Sequence, residues 1–232
     1  DAIDMGATKV GYNHVKVEQV SDSASRKLLR VQVNTVLSYK RGRDRVNIEM
    51  RYGTIETTAG AVLKIDIRAL TGNDELRTFG EVSSGTMNLT LEGGGQRKQT
   101  PLPWADDIFG PYAAEMSLAR HPIQPGESRT LKMFVPVLNQ VCETKLDAKD
   151  REAIVLGGGV TRTLLRVEQT VRDKDGKPLP ESDQTLWIDE GGQVLKSHSP
   201  FLSGIDMYRT SQAAARAPNG SFDLLQATIF RI

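Results

Sequence analysis

The chain has 232 residues, of which 38% are hydrophobic and 25% are charged, a composition typical of a folded globular protein. Its 30 basic and 29 acidic residues give a net charge of +1 and are mixed along the chain, which excludes the concentrated basic face of a nucleic-acid-binding protein. No apolar stretch is long enough for a transmembrane segment, and the single cysteine, Cys142, excludes internal disulfides and multi-cysteine metal sites.

Apolar and polar residues alternate along successive segments of the first hundred residues. A two-residue period buries one face of a sheet and exposes the other, which is typical of antiparallel sheets. In the first segment the apolar positions change phase between Tyr12 and Val15, so we expect a β-bulge near Asn13 and His14. Strands are predicted, in chain order, at 10–20, 29–39, 46–52, 63–69, 76–82 and 86–92.

The strand pattern breaks at the glycines of 93–95, and a short helix is predicted at about 111–120. Pro111 suits the first turn of a helix, apolar residues follow at helical spacing, and Pro122 ends the run. Asp106 and Asp107 come just before this helix, where they are expected to satisfy its first N–H groups.

Strand patterns return after this helix. A second short helix is predicted at 212–217, capped by Thr210 or Ser211. The later strands are predicted at 131–135, around Cys142, and at 153–156, 163–171, 187–188, 194–196, 205–210 and 223–232.

These elements predict a mainly β fold. We expect one highly curved antiparallel sheet, an open or half barrel, with one or two short helices on its concave side. The chain is interpreted as a single all-β domain spanning 1–232. The alternative is a division into two sub-sheets, 1–95 and 96–232.

Candidate catalytic residues are few. Cys142 lies in a strand pattern, without the helix N-terminus or neighbouring histidine that lowers the pKa of a nucleophilic thiol. His14, His121 and His198 are scattered and show no metal-ligand spacing. We therefore predict no catalytic residue, no metal site and no cofactor. A thiol hydrolase built on Cys142 and one of the histidines is the alternative.

The concave face offers an apolar candidate site. If the covering helix leaves space, this face could hold an apolar ligand such as an acyl chain; a filled core is the simpler interpretation, because protein interiors are normally packed without voids. The residues predicted to line the site are Val31, Val33, Ile48, Met50, Ile65, Ile67, Trp104 and Tyr112.

Four segments carry a family resemblance: Gly11-Tyr12, the run from Leu102 to Pro111, Pro125-Gly126-Glu127, and the hairpin from Trp187 to Lys196. Together they resemble the β-rich N-terminal domain that precedes transglutaminase-like domains in exported bacterial proteins, particularly those of planctomycete type. The late hairpin is also similar to those of open-barrel, LolA/LolB-like lipoprotein carriers.

The resemblance implies a non-catalytic accessory or binding domain that works in the periplasm or otherwise outside the cytoplasm. The implied partner is a downstream catalytic domain, which in such proteins carries a Cys-His-Asp triad. Cys142 lacks the context of that triad, so no catalytic residue is transferred to this chain. The alternative implied by the carrier likeness is a lipid or lipoprotein carrier that uses the concave apolar face.

Overall fold

The fold is described from a computed structural model, for residues 1–72, 74–136 and 138–225. This part of the chain contains fifteen strands in one sheet and two short α-helices. The helices are α1 (Ala113–Arg120) and α2 (Gln212–Arg216), and short 3₁₀ helices lie at Pro180–Ser182 and Phe201–Ser203. The strands are β1 (Ala2–Met5), β2 (Thr8–Ser21), β3 (Lys27–Arg41), β4 (Asp44–Thr57), β5 (Val62–Thr71), β6 (Asp74–Ser83), β7 (Thr86–Gly93), β8 (Gln96–Pro103), β9 (Ile108–Phe109), β10 (Ser128–Val135), β11 (Gln140–Val155), β12 (Thr161–Arg172), β13 (Gln184–Ile188), β14 (Val194–Ser199) and β15 (Ile205–Tyr208).

The sheet is a meander that starts and ends at its own centre. Strand β1 pairs with both β2 and β15, and from there the chain runs outward to β8 on one side and back from β9 on the other. All pairings are antiparallel except that of β9 with β10. The predicted fold, a single curved and unclosed antiparallel sheet with two short helices, is confirmed.

The two edges of the sheet are protected against pairing with another chain. Strand β8 carries Pro101 and Pro103 at alternate positions, and neither has an N–H to donate to an added strand. Strand β9 has only two residues, and Phe109 forms an isolated bridge to Ala61 in the turn between β4 and β5. This bridge brings one edge of the sheet close to its middle.

One face of the sheet, here called the inner face, carries the apolar residues. Along β5, Ile65 and Ile67 are buried on this face, whereas Lys64 points to the opposite, outer face. Helix α1 lies against the inner face of β10–β14, where Leu118 is fully buried. Two more apolar clusters fill the rest, one around Trp104 and Phe134 and one where β1, β2, β3 and β15 meet.

The predicted bulge at Asn13 and His14 is wrong in position. The pairing of β2 with β3 is regular from Gly11 onward, and the register shift lies between β1 and β2, at Ile3 and Asp4. Gly11 permits this arrangement, because a Cβ atom on it would lie 1.9 Å from the carbonyl oxygen of Val36. In the shifted pair, Val10 is the extra residue on β2, one position before Gly11.

Two other expectations need correction, and a third falls mostly on residues that the structure does not describe. The strands predicted separately around Cys142 and at 153–156 are one 16-residue strand, β11, with a register shift between Ala148 and Arg151. Helix α1 has no side-chain cap at its N-terminus, and Asp107 instead pairs with Lys132 at 2.7 Å. Most of the predicted strand at 223–232 lies outside the described residues.

Other expectations hold. Helix α2 is capped by Ser211, whose hydroxyl accepts from the N–H of Ala214. The proposed division near residue 95 falls in the hairpin between β7 and β8, where the sheet is continuous. The number of domains stays a prediction.

We predict that Gly11→Ala destabilises the fold by about 3 kcal/mol or more, because its Cβ would overlap the backbone of β3. Gly157→Ala is the matched control, since a Cβ there lies 3.7 Å from its nearest neighbour, and it should change stability by less than about 0.5 kcal/mol. Urea unfolding measures both. Equal effects would contradict the close contact between Gly11 and the backbone of β3.

Candidate functional site

A groove of about 830 Å³ lies on the outer face of β3–β8. Its floor is a row of residues in register, one from each strand: Gln32, Gly53, Asp66, Phe79, Thr90 and Gln99. Neighbouring strands lie about 4.8 Å apart, so the row spans about 24 Å across the sheet. The groove could therefore accommodate an extended ligand that crosses the strands.

Charged side chains in the groove are mostly paired with each other. Arg77 donates two hydrogen bonds to Asp66, at 2.9 and 2.7 Å, and these bonds hold the pKa of that carboxyl below its ordinary value. Lys64 pairs with Glu81 at 2.9 Å. These pairs offer hydrogen-bond donors and acceptors in fixed positions with little net charge.

An aromatic ring and a glycine give the groove its shape. The Arg77 guanidinium lies 4.4 Å from the centre of the Phe79 ring, a cation–π contact that orients the ring. Gly53 leaves the floor without a side chain between Gln32 and Asp66. At the β3 end, Arg30 is exposed and makes no ion pair with any residue that the structure describes.

A second cavity, of about 200 Å³, lies on the other side of the sheet, between α1, the β4–β5 turn and β9–β10. The glycine Gly60 lies beside it and keeps the approach to Phe109 open, since a Cβ there would be 3.3 Å from that ring. The apolar lining residues are Phe109, Ala113, Met116 and Leu131, and exposed residues at the rim include Ala59, Arg120 and His121.

Glu56 places a buried carboxyl in this second cavity. The residue is 2% exposed, and it accepts a hydrogen bond of 2.6 Å from the Thr54 hydroxyl. Within the described ranges no cation forms an ion pair with it, and burial raises its pKa above the ordinary value of a glutamate. Gly110 makes room for it, because a Cβ atom there would lie 2.4 Å from Oε1.

The rim of the cavity is held in place by the C-terminal end of α1. Arg129 donates to the carbonyl oxygens of Ser117 and His121, at 2.8 and 2.7 Å, and so satisfies two groups that a helix end leaves unpaired. Gly192 lies directly beneath this end of the helix, where a Cβ would lie 2.1 Å from the Leu118 oxygen. These contacts of Arg129 and Gly192 hold the C-terminal end of α1 against the sheet, and they therefore determine where Arg120 and His121 lie.

The structure separates the residues predicted to bind an apolar ligand. Ile65, Ile67 and Trp104 belong to one packed cluster, and Val31 is buried on the same face. Val33, Ile48, Met50 and Tyr112 are only partly buried. Apart from Ile65, which borders the outer groove, none of the eight lines either cavity. Their role in ligand binding stays a prediction.

Cys142 has the surroundings of a structural cysteine. It is 2% exposed, and burial, followed by the charge of Asp173, raises its thiol pKa. A nucleophilic cysteine needs the opposite shift. No described histidine is hydrogen bonded to it; His198 instead bonds Asp206 at 2.8 Å.

Sequence reasoning missed both cavities for different reasons. The outer row depends on which strands are neighbours and in which register, which single-strand patterns do not give. Glu56 could have been found, because it continues the inward phase of Tyr52 and Thr54 along β4. An acidic residue at an inward position is an exception to the pattern and therefore a signal.

Comparison with known proteins bears on the fold. No protein-family model matches the chain, and no curated protein matches it significantly. A solved β-barrel-like protein of the domain of unknown function DUF1849, from Brucella abortus, is similar with a TM-score of 0.53 and 13% identity, over 85% of this chain and 94% of that chain. The comparison shows the fold alone.

Two further solved structures align less well. A DUF1089 family protein from Pseudomonas aeruginosa has a TM-score of 0.36 and 10% identity, over 80% of this chain and 88% of that one. A candidate exported protein with a YmcC-like fold, from Bacteroides fragilis, has a TM-score of 0.26 and 10% identity, over 85% and 94%. None of the three names refers to a transglutaminase or a lipoprotein carrier.

In the described ranges, no group of three histidine, cysteine or acidic side chains is arranged to hold a metal ion. No helix there is long and apolar enough to cross a membrane.

We predict that Glu56→Gln changes the pH dependence of stability. A raised carboxyl pKa means that the folded state holds a proton which the unfolded state releases, so wild-type stability should fall as pH rises above about 4.5. The glutamine variant lacks this loss. Its stability relative to wild type should therefore increase with pH, as measured by urea unfolding at several pH values.

Glu190→Gln, in the exposed turn before β14, is the control and should follow the wild type across the same range. If Glu56→Gln instead lost stability relative to wild type as pH rose, the carboxylate would have a stabilising cation, contrary to the geometry described.

We predict that Cys142 in the folded protein reacts with iodoacetamide at neutral pH on the order of tenfold or more slowly than in the urea-unfolded chain, because the thiol is buried and its pKa is raised. Mass spectrometry of quenched samples follows the modification. Faster reaction in the folded state would indicate an activated thiol.

Proposed function

We propose that this protein is a non-catalytic binding domain that holds an extended, uncharged oligosaccharide in the groove on the outer face of β3–β8. The observation that supports this most directly is the row from Gln32 to Gln99, which gives the groove a continuous floor across six strands. A ligand that crosses the strands meets a different residue of the row on each strand. Repeating polymers suit such a site.

The chemistry of the lining favours a neutral, hydroxyl-rich ligand. Within the Asp66–Arg77 and Lys64–Glu81 pairs the charges cancel, so apart from Arg30 at the β3 end the groove has little net charge. Carboxylate, guanidinium and amide groups can all bond to hydroxyls, and Gln32 and Gln99 present amides at the two ends of the row. Phe79 supplies an apolar surface for the C–H face of a sugar ring.

The inner face gives less support to the lipid-carrier alternative. Helix α1 and the cluster around Trp104 and Phe134 occupy much of that face with packed side chains. The carrier function stays a prediction, and acyl chains found by native mass spectrometry of protein purified from its host would favour it over the groove.

The absence of catalysis is part of the proposal. It is supported by the burial of Cys142, which raises the pKa of its thiol, whereas the thiol-hydrolase alternative needs a lowered pKa. The location outside the cytoplasm and the partnership with a downstream transglutaminase-like domain rest on the resemblance in the sequence alone.

The proposal is tested by titrating the protein with cellohexaose, chitohexaose and mannohexaose in a calorimeter. We expect at least one to bind. In the variant Gly53→Gln, a side chain would project from the floor of the groove, and binding should weaken by about tenfold or more. Phe79→Ala should weaken it similarly by removing the apolar surface.

Asn47→Gln is the control, since Asn47 is exposed on the same strand as Gly53 but does not line the groove. It should bind as the wild type does. Failure of all three neutral hexamers, tighter binding of a polygalacturonate oligomer, or equal binding by Gly53→Gln would reject the proposal.

A further inference from the structure

A buried carboxyl without a counter-ion stands out among the polar groups of this protein. Glu56 is 2% exposed and accepts one hydrogen bond, from Thr54. No lysine, arginine or histidine in the described ranges forms an ion pair with it. Buried charges are normally paired, so this carboxyl must either hold a proton or meet a cation that enters from outside.

The cavity beside Glu56 gives such a cation a place to bind. Its walls are formed by Phe109, Ala113, Met116 and Leu131, so the space next to the carboxyl is apolar. An aromatic ring and a thioether are favourable neighbours for an ammonium group. Strongly hydrated inorganic ions would lose their water in this space and find one carboxyl in exchange, which favours an organic ammonium.

The rim of the cavity carries a positive charge. Arg120 is exposed there, and its Nη1 donates to the carbonyl oxygen of Ala59 at 3.3 Å. Its charge acts on the Glu56 carboxyl against the larger effect of burial, although the two do not form an ion pair. The guanidinium keeps other donors free for an anionic group that arrives from solvent.

From this arrangement we infer that the cavity is a binding site for a small ω-amino carboxylate, with its ammonium group on Glu56, its short apolar chain between Phe109 and Met116, and its carboxylate on Arg120. Charge is complementary at both ends of such a molecule. A volume of about 200 Å³ is below the roughly 300–1,000 Å³ of sites for drug-sized ligands, so the ligand must be small.

This site is independent of the outer groove. It lies on the inner side of the sheet and involves none of the residues proposed to hold an oligosaccharide. Either proposal can fail without affecting the other.

The test is calorimetric titration at neutral pH with 5-aminopentanoate, pentylamine and pentanoate, which share one chain and differ in their charged ends. We expect 5-aminopentanoate to bind about tenfold or more tightly than either of the others. Glu56→Gln should abolish its advantage over pentanoate, and Arg120→Gln should abolish its advantage over pentylamine.

Arg45→Gln, at the exposed start of β4, is the control and should bind as the wild type does. A thermal melt of each variant shows whether it is folded; Arg120 is exposed, so the Arg120→Gln result decides if Glu56→Gln does not fold. No measurable binding of 5-aminopentanoate, or equal binding of pentylamine or pentanoate, would overturn the inference.

Discussion

Register between neighbouring strands is the constraint on which the rest of this structure depends. In a sheet of alternating side chains, a slip of one residue moves the entire apolar set of a strand to the opposite face. Here the register is regular across the row from Gln32 to Gln99, so that Ile65 joins Leu89 inside while Asp66 joins Phe79 outside. The core and the outer groove are two consequences of the same pairing.

An open sheet must also fill its inner face, because no second sheet covers it. This protein does so with α1, with the segment that carries Trp104, and with the edge strand β9, which approaches the β4–β5 turn through Phe109 and Ala61. Because these are separate segments, space is left where they meet. The smaller cavity lies at the junction of α1, β9 and the β4–β5 turn, and this space allows the polar residue Glu56 to be accommodated there.

The sequence was sufficient for the fold class and for the positions of most elements, since alternation and the helical run after Pro111 are local signals. It was insufficient wherever a distant backbone decides. The bulge was expected at Asn13 and His14, yet the register shift lies between β1 and β2, where Val10 is the extra residue. The groove likewise needs Gln32 and Gln99 to lie in one row. The two residues are far apart in the chain, and four strands lie between β3 and β8 in the sheet.

Strand β4 connects the two proposed sites. Gly53 faces outward and leaves the groove floor open, while Glu56 faces inward and lines the smaller cavity. The pairing of β4 with β5 shifts register between Ile55 and Glu56, where Leu63 of β5 is the extra residue. Shifts of this kind bend a strand and redirect its side chains, and they are frequent beside functional sites. Glu56 keeps the inward phase of Tyr52 and Thr54, and the extra residue on β5 brings the buried Val62 opposite it.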